Sequence, residues 1–276
     1  MKVRRALDET SKRLASAGCD SPRVDAEILL SHVLNLSRSK LALEASRKLS
    51  RPEEKTLERL VVRREGREPL AYVLGEWGFR RLTLAVDRRV LVPRPETEIV
   101  VERCLTLIGG LDQPRVLDVG TGSGAIALAI ADEHPGASVT GIDASPGALE
   151  VAGGNALRTG LDIELREWDL FTGLPDGPWD LVVSNPPYVL PEEIETLAPE
   201  VRDWEPREAL VGVGATEAVA RGALDALEPG GTLVLEVAWG DAVRIAAKLA
   251  ALGYADVATT RDLAHRDRVV EGARQS

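Results

Sequence analysis

Residues 115–130 read RVLDVGTGSGAIALAI and decide the fold. A short apolar run ends at Gly120, three glycines alternate as far as Gly124, and small apolar residues follow, which predicts a strand, a tight turn and a helix. Glycine lets a backbone approach a ligand closely and adopt a φ that strains other residues. In an open α/β sheet, ligands bind beyond the carboxyl ends of the strands. Residues 120–124 are therefore predicted to contact a ligand.

The spacing of these glycines narrows the class of ligand. The dinucleotide fingerprint is G-x-G-x-x-G, whereas this loop reads Gly120-Thr121-Gly122-Ser123-Gly124 and lacks the G-K-[ST] ending of a triphosphate loop. Asp118 lies two positions before the first glycine. A carboxylate there suits a ligand that carries positive charge and is unfavourable beside a pyrophosphate.

Further acidic residues follow the next two predicted strands. Asp143 ends the second strand, about 20 positions beyond the glycines, where a carboxylate accepts hydrogen bonds from both ribose hydroxyls. Asp143 could instead cap the next helix, but Ser145 is placed for that role. After the third strand, Asp169 and Leu170 offer a carboxylate for the amine of an adenine and an apolar wall for its ring. Together with Asp118 and the glycine loop, these residues predict a site for S-adenosyl-L-methionine.

The segments around this loop alternate between strands and helices. Strands are predicted at residues 115–119, 138–142, 163–168, 181–184 and 232–237, with a closing antiparallel pair at 256–260 and 268–271. Helical stretches separate most of the first five. This β-α-β alternation predicts an α/β fold with a mostly parallel sheet and helices on both faces.

The chain before this sheet has a different character. The prediction has three parts: an N-terminal helical domain at residues 1–75, a β-hairpin linker at 76–94, and the cofactor-binding domain at 95–276. The first part shows helical periodicity and predicts a bundle of about four helices. Ser21 and the capping-box pattern of Ser50-Arg51-Pro52-Glu53 mark two helix starts. The linker alternates like two strands, at 79–86 and 88–92, around a turn at Asp87.

The composition excludes several classes of protein. Of the 276 residues, 44% are hydrophobic and 28% are charged, which is the balance of a globular chain rather than a disordered one. Since no run of about 18 apolar residues and no signal-peptide pattern occurs, we expect no membrane partner and a cytoplasmic location. The net charge of −10 argues against direct contact with nucleic acid. Cys19, Cys104 and three scattered histidines show no metal-ligand spacing, so no metal is expected.

A second motif, Asn185-Pro186-Pro187-Tyr188, directly follows the fourth predicted strand. The prolines fix two φ angles and remove two N–H donors, so the segment presents acceptors without neighbouring donors. An amide nitrogen is a poor nucleophile because its lone pair is delocalised. If Asn185 Oδ1 and the Pro186 carbonyl accept its two N–H groups, the nitrogen is biased towards sp³ and its lone pair is freed. With Tyr188 as a flat aromatic face, the motif predicts methylation of a planar NH₂ group by orientation and placed dipoles.

The whole chain resembles the HemK/PrmC family of protein-glutamine methyltransferases. The matching stretches are VPRPETE at 92–98, DVGTGSG at 118–124, SNPPY at 184–188 and EPREAL at 205–210. The resemblance implies a Rossmann-like class I methyltransferase sheet and S-adenosyl-L-methionine as cofactor. It also implies that the substrate is the glutamine of the Gly-Gly-Gln motif in class-1 peptide chain release factors.

The resemblance also assigns roles to residues at matching positions. Residues 120–124, Asp143 and Asn185 would contact the cofactor, Asn185–Tyr188 would bind the glutamine, and the helical domain would help to dock the protein substrate. Residues 211–217 depart from the family pattern and are expected to lie outside the chemistry.

Some alternatives stay open at this point. Either Trp168 or Leu170 packs on the adenine. Arg94 contacts a ligand or belongs to a helix start, and Glu205-Pro206-Arg207 flanks the site or forms an ion-paired turn.

Three rival functions also stay open. A sister enzyme acting on a glutamine of a large-subunit ribosomal protein would use the same chemistry, and only its docking surface would differ. An adenine amino-methylase would apply the tetrapeptide to a flipped base of a nucleic acid, against which the negative net charge counts. A non-catalytic regulator that binds S-adenosyl-L-methionine would not need an intact tetrapeptide.

Overall fold

The computed structural model describes residues 1–275 as two compact units. The first unit contains Met1–Glu76 together with Leu197–Trp204, and the second contains Trp77–Thr196 and the chain from Glu205 onward. The short segment 197–204 thus belongs with the helical unit, whereas the sequence-based division had assigned it to the cofactor-binding domain.

The first unit is helical throughout. Its helices are α1 (Val3–Ser16), α2 (Pro22–Leu34), α3 (Arg38–Leu43), α4 (Arg51–Glu65), α5 (Leu70–Leu74) and α9 (Pro199–Arg202). Five of them precede residue 75, one more than the predicted number. Leu14, Leu29 and Leu30 are fully buried and form the centre of an apolar core that α1, α2 and α4 share.

A buried ion network explains why segment 197–204 packs with these helices. The Arg64 Nη1 donates to Glu200 Oε1 at 2.8 Å, and the Arg67 Nη2 donates to Glu200 Oε2 at 2.6 Å. The Arg64 Nε also donates to Asp25 Oδ2 at 2.8 Å, and both of these side chains are buried. Because an unpaired buried guanidinium is costly, Glu200 stabilises the network as well as the position of its own segment.

A small two-stranded sheet opens the second unit. It pairs β1 (Glu76–Phe79) with β2 (Leu82–Ala85). The predicted hairpin with its turn at Asp87 is therefore wrong in position. The chain turns at Arg80, which has a φ of 52° and whose N–H donates to Glu98. The alternation of residues 88–92 arises because Val90 and Val92 are buried without strand pairing.

The main sheet of the second unit has seven strands. They are β3 (Arg115–Val119), β4 (Ser138–Asp143), β5 (Glu164–Glu167), β6 (Trp179–Ser184), β7 (Leu227–Glu236), β8 (Ala255–Arg261) and β9 (Asp267–Ala273). The order across the sheet is β5-β4-β3-β6-β7-β9-β8. The first five are parallel, and β9 runs antiparallel to both β7 and β8. The predicted parallel sheet and its antiparallel closing pair are confirmed.

Helices cover both faces of this sheet. They are α6 (Thr97–Ile108), α7 (Ala125–Glu133), α8 (Pro146–Thr159), α11 (Ala215–Ala226) and α12 (Ala242–Leu252), and a further short helix, α10 (Arg207–Leu210), precedes α11. Successive residues of a strand point to opposite faces. Val116 accordingly packs with α6 and α7, while its neighbour Leu117 packs with α11 and α12. Within residues 1–275, none of the helices combines the length and the apolar character needed to cross a membrane.

The strand order creates a crevice between β3 and β6. The chain leaves β3 towards β4 and β5 on one side and returns to β6 on the other, and ligands bind at such a reversal. Val119 pairs with Ser184 at the carboxyl ends of these two strands, and the Ser184 hydroxyl donates to the Val119 carbonyl at 2.7 Å. The glycine loop and the Asn-Pro-Pro-Tyr segment therefore start from adjacent points.

The capping box of α4 gives a test of the local sequence signals. The Ser50 hydroxyl accepts from the Glu53 N–H, and the Glu53 carboxylate accepts from the Ser50 N–H, as predicted. Ser50→Ala should lower the free energy of unfolding by about 1 kcal/mol, because one helix-end N–H loses its partner. Urea denaturation followed by circular dichroism measures this change. Ser21→Ala is the matched control, since Ser21 occupies the N-cap of α2 but makes no side-chain cap bond; equal losses in both variants would contradict the assignment.

Candidate active site

A cavity of about 600 Å³ lies in the second unit at the carboxyl ends of β3, β4 and β6. The predicted site residues on its wall are Gly120, Thr121, Gly122, Ser123, Asp143, Asp169, Leu170, Asn185 and Pro187. The predicted site residues off its wall are Asp118, Gly124, Pro186 and Tyr188. The structure thus brings the two motifs together around one space, and four predicted residues adjoin that wall without forming it.

The glycine loop folds as its composition predicts. Gly120, Gly122 and Gly124 all have positive φ, at 75°, 56° and 79°. The N–H groups of Gly120 and Thr121 both donate to the Ile142 carbonyl at 2.9 Å, which ties the loop to the end of β4. A Cβ at Gly120 would meet no atom within 4 Å, whereas one at Gly124 would lie 3.1 Å from Leu128 Cδ1. The first glycine therefore leaves room for a ligand, and the third permits close packing of α7.

Asp118 lies beneath the loop rather than on the cavity wall. It is 1% exposed, and its Oδ2 accepts from the Thr121 hydroxyl at 2.7 Å and from the Ala127 N–H at 3.2 Å. Its Oδ1 has no hydrogen-bond partner among the residues that the structure describes. Burial raises the pKa of Asp118 to about 7. The expected contact with a cationic ligand is therefore replaced by support of the loop through Thr121.

Asp143 lies on the wall and holds two neighbouring segments. Its Oδ2 accepts from the Gly122 N–H and its Oδ1 from the Ser145 N–H, both at 2.9 Å. The Ser145 hydroxyl accepts from the Ala148 N–H and caps α8, which leaves Asp143 without that task. Burial raises the pKa of Asp143, and the charge of Glu208 adds to the rise. A carboxylate has about four acceptor positions, so Asp143 retains capacity for ribose hydroxyls.

Aromatic and apolar side chains form the wall beyond β5. Trp168, Leu170 and Phe171 all line the cavity, and Phe171 is 61% exposed. The indole N–H of Trp168 donates to the Gly173 carbonyl at 2.8 Å, which fixes the ring. Asp169 Oδ1 accepts from the Phe171 N–H at the start of a 3₁₀ turn, Leu170–Thr172. Trp168 and Leu170 are both placed to contact a flat ring, so the alternative between them stays open.

The Asn-Pro-Pro-Tyr segment presents two free acceptors. The Asn185 Nδ2 donates to the Thr97 hydroxyl oxygen at 3.5 Å. Neither Asn185 Oδ1 nor the Pro186 carbonyl accepts a hydrogen bond from any other residue between 1 and 275. Tyr188 is 37% exposed, and desolvation raises the pKa of its hydroxyl. Both oxygens are therefore without a donor among residues 1–275.

Two residues of the stretch 211–217, Val211 and Gly212, line the cavity, although that stretch is expected to lie outside the chemistry. The Val189 N–H donates to the Leu210 carbonyl at 3.0 Å. A Cβ at Gly212 would lie 2.3 Å from Pro187 Cγ. The chain there can approach the prolines only because residue 212 is glycine.

The structure also places Arg94 and Glu205. The Arg94 Nη2 lies 2.7 and 2.6 Å from the two carboxylate oxygens of Glu205, whose side chain is almost fully buried. Burial raises the pKa of Glu205, and the charge of Arg94 opposes that rise. Since Arg94 and Pro206 both line the cavity, the ion pair is part of its wall. The ion pair of this segment is thus made with the distant Arg94 rather than within the turn, and Pro206 flanks the cavity.

Sequence reasoning missed one neighbouring group. The Thr97 hydroxyl, which accepts from Asn185, donates to Glu236 Oε2 at 2.7 Å. Glu236 ends β7 and is 2% exposed. Its only sequence signal is a lone carboxylate at the end of an apolar strand.

Comparison with known proteins identifies the family of the chain. Residues 5–75 match the PrmC N-terminal domain family, and residues 97–201 match the methyltransferase small domain family. The release factor glutamine methyltransferase of Deinococcus radiodurans is 41% identical over 280 residues, which cover 99% of each chain. That of Caulobacter vibrioides is 39% identical over 276 residues, covering 98% of this chain and 96% of the relative. The T. thermophilus 16S rRNA N2 G1207 methyltransferase, solved with AdoMet and guanosine, superimposes with a TM-score of 0.53 at 17% identity, over 72% of this chain and 50% of that one.

The fold and the cavity define an S-adenosyl-L-methionine-dependent methyltransferase. Within that class, the chain belongs to the release factor glutamine methyltransferase family.

The raised pKa of Asp118 predicts a pH dependence of stability. An unfolded chain ionises this group near about pH 4, whereas the folded protein does so at about 7. Protonated Asp118 contributes its full stabilisation to the folded protein below the pKa of the unfolded chain. This contribution is lost as the pH rises through the pKa of the folded protein, by at most about 1.4 kcal/mol per pH unit. Asp118→Asn removes this contribution. Urea denaturation should show the stability of the variant, relative to the native chain, increasing between about pH 4 and 7; parallel curves would contradict the assignment.

Asp143→Ala should weaken cofactor binding by roughly 1–3 kcal/mol, because polar groups lose their buried hydrogen-bond partner. Isothermal titration calorimetry with S-adenosyl-L-methionine at about pH 8 measures the affinity. Asp112→Ala is the control, since Asp112 is exposed and does not line the cavity. Unchanged affinity in Asp143→Ala would remove this residue from the cofactor site.

Proposed function

We propose that this protein transfers the methyl group of S-adenosyl-L-methionine to the side-chain amide nitrogen of a glutamine in peptide chain release factors. The acceptor is proposed to be the glutamine of the Gly-Gly-Gln motif in class-1 factors. The observation that carries the proposal is the unfilled acceptor pair, Asn185 Oδ1 and the Pro186 carbonyl, beside a cofactor-sized cavity. The full-length similarity to release factor glutamine methyltransferases supports the same acceptor.

The donor set of the cavity fits the cofactor. Gly120–Gly124 would lie along the methionine part, Asp143 would accept from the ribose hydroxyls, and Trp168 with Leu170 would enclose the adenine beside Asp169. The open space over Gly120 and the spare acceptor positions of Asp143 are the observations that favour this placement. When bound, the cofactor supplies a methyl group that is electrophilic because it is attached to a cationic sulfur.

The residues of the tetrapeptide orient the nucleophile. A glutamine amide carries two N–H donors on a planar nitrogen, and Asn185 Oδ1 with the Pro186 carbonyl offers two acceptors for them. When these two oxygens accept both N–H groups, the nitrogen is held in one orientation. The same hydrogen bonds favour the geometry in which its lone pair is available to the methyl group. Catalysis then consists of orientation and preorganised dipoles. Pro187 fixes the backbone, and half-exposed Tyr188 offers a flat face to the substrate.

We also propose roles for the domains and a cellular location. The division into a helical domain at residues 1–75, a linker at 76–94 and a methyltransferase domain from 95 onward remains our functional division of the chain. The helical domain docks the release factor, a role that its match to the PrmC N-terminal domain supports. Two buried free cysteines favour action in a reducing cytoplasm.

The direct test uses a purified class-1 release factor. It is incubated with the protein and isotope-labelled S-adenosyl-L-methionine, and its peptides are analysed by mass spectrometry. One labelled methyl group on the glutamine of the Gly-Gly-Gln motif is expected, and none on a factor with that glutamine replaced by asparagine. Parallel incubations with large-subunit ribosomal proteins and with DNA separate the rivals. Label on either of these and none on the release factor would overturn the proposal.

Asn185→Ala should lower methyl transfer by about 10²-fold or more, as the loss of one placed dipole does in other enzymes. Cofactor affinity should stay within a few fold, because the glycine loop and Asp143 remain. A radiolabelled methyl assay measures transfer, and calorimetry checks that the cofactor site is intact. Near-native transfer by the variant would show that Asn185 does not hold the reacting amide.

A further inference from the structure

We propose that Thr97 and Glu236 are positioning residues that set the side-chain amide of Asn185 with its oxygen towards the substrate. The inference rests on the proposed function, because the direction of that amide matters only if Asn185 accepts from an NH₂ group. The three side chains come from α6, β7 and the end of β6. They form one hydrogen-bonded chain.

The chain has a direction because its far end is a carboxylate. An ionised carboxylate only accepts hydrogen bonds, and a hydroxyl has a single hydrogen to donate. The Thr97 hydroxyl gives that hydrogen to Glu236 Oε2 at 2.7 Å. Towards Asn185, Thr97 can then act only as an acceptor. The NH₂ half of the Asn185 amide must therefore face Thr97, as the contact from Nδ2 shows.

This direction leaves Asn185 Oδ1 free for the substrate. Asn185 lines the cavity, and its Oδ1 accepts no hydrogen bond from any residue that the structure describes. If the amide were rotated by half a turn, two N–H donors would face the two N–H donors of a substrate amide. Like groups cannot pair, so the rotated form would not hold the nucleophile. Thr97, which lines the cavity, and Glu236, which lies behind it, select the productive form through the Asn185 amide.

The packing around these residues makes the selection stable. Leu235 pairs with Ser184 in the parallel ladder between β7 and β6, so Glu236 and Asn185 follow neighbouring strand ends. Thr97 and Glu236 are 5% and 2% exposed, respectively, so water does not compete for their bond. A polar group at this depth that lost its partner would carry the full cost of desolvation.

The charge of Glu236 makes the arrangement sensitive to pH. Burial raises the pKa of Glu236 to about 7, with the bond from Thr97 and the charge of Arg268 opposing the rise. Arg94 lowers and Glu96 raises the same pKa. Tyr188 is the other titratable group nearby, and the charge of Glu236 adds to the raised pKa of its hydroxyl.

Protonation of Glu236 reverses the direction of the chain. A neutral carboxyl group can donate to the Thr97 oxygen, and the Thr97 hydrogen then becomes available to Asn185. That arrangement favours the rotated amide. Methyl transfer should therefore be full above about pH 7 and decline as the pH falls through that value.

The test compares Glu236→Gln and Thr97→Val with Thr97→Ser. In Glu236→Gln, an NH₂ donor replaces one of the two acceptor oxygens, so the charge no longer fixes the direction of the Thr97 hydroxyl. In Thr97→Val, the hydroxyl is lost at nearly constant volume. Both should lower kcat for release-factor methylation by about 10-fold to 100-fold, with cofactor affinity by calorimetry unchanged within about threefold. Thr97→Ser keeps the hydroxyl and should keep at least about half of the native kcat. The double variant Glu236→Gln with Thr97→Val should lose no more activity than the less active of the two single variants, because both substitutions break the same hydrogen-bonded chain.

The pH profile separates positioning from a structural role. With saturating cofactor, the kcat of the native protein should fall below about pH 7, and this acid limb should be absent from Glu236→Gln and Thr97→Val. Glu96→Gln is the matched control, since Glu96 precedes Thr97 and makes no side-chain bond to the helix end. It should keep the acid limb, with the midpoint moved to lower pH because the charge of Glu96 raises the pKa of Glu236.

A second measurement does not depend on the substrate. In the native protein without substrate, the side-chain NH₂ resonances of Asn185, identified by their loss in Asn185→Ala, should shift with a midpoint near pH 7. The shift should vanish in Glu236→Gln. A Glu236→Gln enzyme with native kcat, native pH profile and the same shift would overturn the inference. If the native protein methylates no release factor, the proposed function fails instead, and the resonance shift alone decides whether the hydrogen-bonded chain exists.

Discussion

The pairing of β3 with β6 is the constraint on which the site depends. These strands are neighbours only because the chain order reverses between them, and their carboxyl ends meet where Val119 pairs with Ser184. The buried bond from the Ser184 hydroxyl to the Val119 carbonyl holds that meeting point at 2.7 Å. A glycine loop that approaches a cofactor and a proline segment that presents acceptors consequently begin one residue beyond the same pair. Under the proposed function, backbone geometry brings the sites of the methyl donor and of the planar nitrogen together, and the Asn185 side chain completes the second site.

Buried carboxylates support this arrangement at a cost in stability. Asp118 holds the glycine loop through Thr121, and Glu236 holds Asn185 through Thr97. Burial raises the pKa of both carboxylates to about 7. Neither carboxylate lines the cavity. Burial of these two carboxylates is unfavourable, but their hydrogen bonds fix the residues that line the cavity.

The parts of the fold and of the site that the sequence predicts are those whose determining residues lie close together in the chain. The run at 115–130 contains a strand, its turn and its helix within a short stretch, so its structure follows from local patterns. The acceptor pair of Asn185 and Pro186 is likewise a local property of two prolines after a strand. The capping box at Ser50 forms for the same reason, since both partners lie within one turn.

The remainder depends on contacts between distant parts of the chain. Thr97 and Glu236 are 139 residues apart, and the need for glycine at 212 appears only when Pro187 lies against it. Segment 197–204 joins the helical unit through ion pairs between Glu200 and two arginines of that unit. The hydrophobic periodicity of the sequence does not predict such ion pairs. The turn at Arg80 likewise involves a partner outside the hairpin, since the Arg80 N–H donates to Glu98.

The central claim is that two acceptors, and no ionisable group, hold the nitrogen that receives the methyl group. A crystal structure with S-adenosyl-L-homocysteine and a peptide containing Gly-Gly-Gln would test it most directly. The glutamine Nε2 should lie about 2.7–3.2 Å from both Asn185 Oδ1 and the Pro186 carbonyl, on the side of the cavity that faces the cofactor sulfur. A glutamine bound instead by a charged side chain or an ion, with Asn185 turned away, would contradict the account.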